Sequence, residues 1–107
     1  MKITVDFSVN TVGGDAVGSV DGQMEFGVDP LIGDTIYFSS ASNGMVIPSG
    51  HSYGGLLKVQ ERIIRPNQEG NFVALSLEDL TVESREQALA MMQYLELCYG
   101  LFATTYE

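Results

Sequence analysis

FVALSLEDLTVESREQALAMMQYLELCYG, residues 72–100, changes its hydrophobic period part-way along. Up to about Val82 the apolar residues alternate, with Val73, Leu75 and Leu77 on one face, as in a strand with one side in a core. From Ala88 they return every three or four residues. Ala88, Met91, Met92, Leu95, Cys98 and Tyr99 then form one apolar stripe, which predicts a helix over about 85–99. Ser84 with Gln87 three residues on is the pattern of a capping box, whose side chains take up the first free amides of a helix. Gly100 suits the left-handed position that ends a helix, from which Leu101 can fold back on Leu95. The chain therefore closes on a strand followed by a helix whose stripe needs a core to face.

The residues upstream supply that core. Residues 2–10 alternate, with Ile3, Val5, Phe7 and Val9 on one face and Lys2, Thr4, Asp6 and Ser8 on the other. Thr11 to Gly18 is a glycine-rich turn. A second strand follows at about 19–28, with Val20, Met24, Phe26 and Val28 inward and Asp21, Gln23 and Glu25 outward, and Asp29-Pro30 stops it. Thr35 to Ser39 reads as a short third strand carrying Ile36 and Phe38. Leu56 to Arg65 reads as a fourth, with Leu57, Val59 and Ile63 on one side and Lys58, Gln60 and Arg62 on the other. The turn from Pro66 to Asn71 joins it to the last strand as a hairpin. Short connections favour antiparallel neighbours. The expectation is an α+β fold: about five mostly antiparallel strands in a curved sheet or partly open barrel, with the C-terminal helix packed on it.

With 107 residues, the chain has the length of one compact domain, 1–107. Fourteen Asp and Glu against five Lys and Arg give a net charge of −9. That balance disfavours direct nucleic-acid binding, which depends on cations that neutralise phosphates. No apolar run nears the ~20 residues of a membrane helix. Alternation at the start of the sequence differs from a secretory leader, which predicts a cytoplasmic protein. The single cysteine, Cys98, predicts a buried apolar role rather than a disulfide or a thiolate metal site.

Catalytic patterns are weak. Gly50-His51-Ser52-Tyr53-Gly54 matches the spelling of a nucleophile elbow, but a loop precedes it and a strand follows, where an elbow needs a strand and then a helix. The only histidine is the serine's own neighbour. Glu78, Asp79, Glu83 and Glu86 crowd the junction of strand and helix without the spacing of a calcium loop. Thr11 to Gly18 joins strand to strand, whereas a phosphate cradle uses the amides of a helix start. The reading is of a chain that is not an enzyme and carries no metal or cofactor.

Two features remain. The 40–55 segment is longer than most loops in compact domains. It carries Met45-Val46-Ile47, which reads equally as a partner-binding segment or a short extra strand, and the amphipathic residues His51 and Tyr53. The second feature is the distribution of charge: residues 1–57 hold six acids (Asp6, Asp15, Asp21, Glu25, Asp29, Asp34) against one cation, Lys2. Fields of this kind steer association with basic partners, and they also keep a small protein soluble. The leading expectation is a small acidic protein–protein interaction module, of inhibitor, immunity or antitoxin type, that binds a basic-surfaced partner. Its contact residues would be Asp21, Glu25, Asp29, Asp34, Met45, Ile47, His51 and Tyr53. The alternatives are a subunit of a homo-oligomer or larger assembly, joined through a sheet edge and the 101–106 segment, and a small-molecule-binding barrel.

Overall fold

The computed structural model describes residues 2–38, 55–66 and 73–106. Its elements run β1 (Lys2–Thr11), β2 (Ala16–Glu25), β3 (Thr35–Tyr37), β4 (Leu56–Ile64), β5 (Val73–Leu77), β6 (Leu80–Val82), α1 (Arg85–Tyr99) and β7 (Phe102–Thr105). The strands form one sheet in the order β3-β4-β5-β1-β2-β7, with β6 continuing β5 along the same edge of β1. The α+β class and the mostly antiparallel sheet are as the sequence predicts. The sheet is open, with β3 and β7 at its edges.

β1 is central because both of its edges are occupied. β2 pairs antiparallel with it from Lys2 opposite Glu25 to Val9 opposite Gly18. On the other edge β5 and then β6 run parallel to it, with Val5 opposite Leu75 and Thr11 opposite Val82. Seven strands among the described residues replace the expected five for two reasons. The long final strand is interrupted at Glu78-Asp79, where the Glu78 carboxylate accepts from the Lys58 amide (2.9 Å) and the Glu78 amide donates to the Lys58 carbonyl (2.9 Å). The seventh strand is β7, four residues too short to show a period. β4 and β5 pair antiparallel, as a hairpin requires; the turn expected between them lies largely outside the described residues.

α1 has the predicted bounds. The Ser84 hydroxyl accepts from the Gln87 amide (3.2 Å). The Gln87 side chain in turn accepts from the Glu83 amide (3.0 Å), one residue before the cap rather than at it. Gly100 ends the helix at φ 68°, a conformation that disfavours a Cβ, and its amide donates to the Glu96 carbonyl (3.2 Å). The reversal buries Leu101 and sends the chain back as β7 along the free edge of β2. β7 comes so close to β2 that a Cβ on Gly18 would collide with the Thr104 carbonyl oxygen and stand 2.7 Å from Met92 Cε.

The core lies between α1 and the inner face of the sheet. Ile3, Val5, Phe7 and Val9 of β1 meet Met91, Met92 and Leu95 of the helix there. The sheet curves enough for Phe38, just past β3, to reach both Phe7 (5.9 Å between ring centroids) and Tyr99 (5.4 Å). Tyr94 Oη donates to the Phe38 carbonyl (2.5 Å), which closes this aromatic corner.

Two inward assignments are corrected. Val28 is 74 % exposed, because β2 ends at Glu25 and the chain leaves the sheet before it. Ile63 is exposed as well. A bulge at Gln60 inserts one extra residue between the pairs Val59–Leu77 and Glu61–Ser76, which reverses the faces of the rest of β4. It turns Arg62 to the inner side and Ile63 to the outer one.

Candidate functional site

The face of the sheet away from α1 is uncovered by any described element. Residues opposite one another in register share a face, so the pairings place Glu61, Ser76, Asp6, Asp21 and Phe102 in one row across β4, β5, β1, β2 and β7. Neighbouring strands are about 4.8 Å apart. Asp6 and Asp21 stand directly opposite each other, both exposed, and Glu61 is two strands from Asp6. Like charges directly opposite across a strand pair are destabilising. The cations of this face lie at its margins: Lys2 is opposite Glu25 at one end, and Lys58 is on β4 before the bulge.

At the end of β2 the sheet opens into a cleft of about 900 Å³. Met24, Phe26, Ile36 and Phe38 give it an apolar lining, and Cys98 and Tyr99 close it from the last turn of α1. Glu25, Asp34, Gln23 and Thr35 are its polar groups. Burial is the main reason the Tyr94 phenol behind this corner is held well above the ordinary tyrosine range, with Tyr99 adding to it. Among the described residues no three His, Cys, Asp or Glu side chains gather as a metal site would require, and no helix is long and apolar enough to cross a membrane.

The four acids expected to form one contact surface are divided by the fold. Asp21 and Glu25 project from the open face of β2, as the alternation indicated. Asp29 is engaged within the chain, its carboxylate 2.6 Å from Arg62 Nη2. That pair ties the 26–34 connection to β4, although Arg62 Nε is buried without an acceptor among the described residues. Asp34 accepts from the Leu31 amide (2.8 Å) and so closes a turn, while its backbone carbonyl accepts from the Val59 amide (2.9 Å). Met45, Ile47, His51 and Tyr53 lie outside the described residues.

Sequence reasoning counted Asp6 among the acids of residues 1–57 but gave no part in that surface to Glu61, which lies between Lys58 and Arg62 in the sequence. The bulge that places Glu61 in the acidic row has no glycine or proline to mark it. The carboxylates at the junction of strand and helix have local roles: Asp79 accepts from the Asn10 side-chain amide (3.1 Å), and Glu78 holds Lys58 as described. No protein-family model matches the chain, and no curated protein or solved structure matches it.

Proposed function

We propose that the chain is a small protein-binding module that receives a basic surface on the open face of its sheet. The observation that carries this reading is Asp6 directly opposite Asp21, with Glu61 in the same row. Self-repulsion at that spacing opposes folding, and lysine or arginine side chains laid across the row would relieve it. Charge-paired surfaces of this kind raise association rates and lose strength with salt. The cleft at the end of the same strand opens toward the helix side of the sheet, and Glu25 is the open-face acid that also lines it.

The test separates binding from folding. Asp21→Asn keeps the shape of the side chain and removes one of the opposed charges. The expected result is an unchanged or higher melting temperature, by up to about 1 kcal/mol of stability, together with weaker binding of Lys- and Arg-rich peptides selected from a displayed library. If Asp21→Asn lowers stability and leaves peptide binding intact, the reading fails.

A second reading is favoured by the cleft itself, whose volume of about 900 Å³ falls in the range of small-molecule sites, ~300–1,000 Å³. An apolar ligand there would shift the amide resonances of Phe26, Ile36 and Tyr99 and leave those of Asp6 and Asp21 in place. A basic peptide on the open face would do the reverse.

A further inference from the structure

The outer edge of β7 has a hydrogen-bonding pattern that can be read from one bond. The Tyr106 amide donates to the Val17 carbonyl (2.8 Å). In an antiparallel ladder alternate residues turn their backbone groups to alternate sides. Phe102, Thr104 and Tyr106 therefore bond toward β2, and Ala103 and Thr105 present N–H and C=O groups outward. Among the described residues nothing pairs with that edge. Natural edge strands are usually protected by lysine, proline or a bulge, and Phe102-Ala103-Thr104-Thr105 holds none of these.

The side chains are self-complementary as well. Phe102, Thr104 and Tyr106 share the open face, and Phe102 is 69 % and Tyr106 43 % exposed. We infer that β7 pairs antiparallel with β7 of a second copy of this chain, about a two-fold axis at Thr104. In that register the outward groups of Ala103 meet those of the second copy's Thr105, and the reverse. Each Phe102 lies opposite the second copy's Tyr106, and the two Thr104 side chains face each other. Two aromatic cross-strand pairs flank a threonine pair, a combination favourable in sheets, and the contact is isologous, so it closes at two copies.

The net charge of −9 per chain does not prevent this contact. Among the described residues the acid beside the edge is Asp21, and three strand spacings with a four-residue offset separate it from its symmetry mate by about 20 Å. That is about two and a half times the Debye length of ~8 Å at physiological salt. The strand residues that meet, Phe102 to Thr105, carry no charge, and the described charge at their margin is Arg85, whose guanidinium donates to the Tyr106 carbonyl (3.4 Å). Salt screens the residual repulsion between two chains of net charge −9 and so strengthens the contact, the opposite of its effect on a basic partner at the open face. An edge of four residues makes a small contact of the weak, transient class.

Sedimentation equilibrium of the full chain at about 0.05 and 0.5 M salt is expected to show a monomer–dimer equilibrium, tighter at high salt. Thr104 is exposed, so Thr104→Lys and Thr104→Glu are tolerated by the fold. Each alone places like charges at the two-fold axis and is expected to raise the dissociation constant at least tenfold. Mixing the two variants is expected to restore a one-to-one heterodimer. Thr104→Cys is expected to form an intermolecular disulfide on oxidation, because the facing Cα atoms of such a pair are about 4.5 Å apart. The inference is overturned if the wild-type chain stays monomeric up to about 1 mM, if it grows into open filaments, or if the mixed variants fail to associate. Peptide binding left intact by Asp21→Asn would sink the proposed function and leave this equilibrium unchanged, so the two readings fail separately.

Discussion

Tyr94 shows how one residue links the helix to the edge of the sheet. Its hydroxyl donates to the Phe38 carbonyl (2.5 Å), the last described position before residue 39. Tyr94→Phe keeps the ring but leaves that carbonyl without its donor, at an expected cost of about 1–3 kcal/mol in denaturant unfolding. The phenol is held neutral by burial, so its folded pKa lies above its unfolded value. Its contribution is complete below about pH 10, the unfolded value, and declines as pH rises beyond that toward the folded value. Denaturant midpoints should therefore fall above about pH 10 in the wild type and fall less in Tyr94→Phe; equal slopes in the two would disprove the link. At Gly18, substitution by alanine meets a backbone oxygen that cannot move aside. The expected loss of about 1–3 kcal/mol should come with faster amide exchange in β7. Alternation alone showed that Asp21 points outward. That Asp6 stands opposite it required the pairing of β1 with β2.

Elements were legible in proportion to their length and to the strength of their end signals. α1 has a fifteen-residue stripe between Ser84 and Gly100, and its bounds follow from those signals. Ser84→Ala should cost about 1 kcal/mol through loss of the bond to the Gln87 amide, measured as a shift in thermal unfolding. β1 alternates for ten residues and was equally plain. β7 was not, because four residues cannot establish a period and what makes them a strand is the free edge of β2 about eighty positions earlier in the sequence. The β4 bulge was hidden for a related reason. Continuous alternation predicted Ile63 inward, and only the partner strand decides where an extra residue is absorbed. Glu61 joined the acidic row by that slip, and so could not be placed from its own neighbours.

For the whole molecule, class was readable and topology was not. A run of alternating segments followed by one helical stripe is enough for α+β. Rank within the sheet depends on which distant strands meet: β1 and β5 are separated by three other strands in sequence yet lie side by side. The cleft is drawn from β2, β3 and the last turn of α1 and has no local signature either. Because β1 is enclosed by β2 on one edge and by β5 and β6 on the other, its amides should exchange only through global opening. Hydrogen exchange of the dilute monomer should rank β1 slowest and β3 and β7 fastest; fast exchange at Val5 would contradict the assigned order.

The late position of α1 has a consequence for the timing of synthesis. The β1–β2 hairpin can form once residue 25 has left the ribosome, but α1, which covers its apolar face, is complete only at residue 99. At roughly 5–20 residues per second, the nascent chain shows the apolar side of its first hairpin for roughly 4–15 s. During that interval Ile3, Val5, Phe7 and Val20 are open to chaperones or to neighbouring nascent chains, and the acids on the other side of the hairpin are its main local safeguard against aggregation.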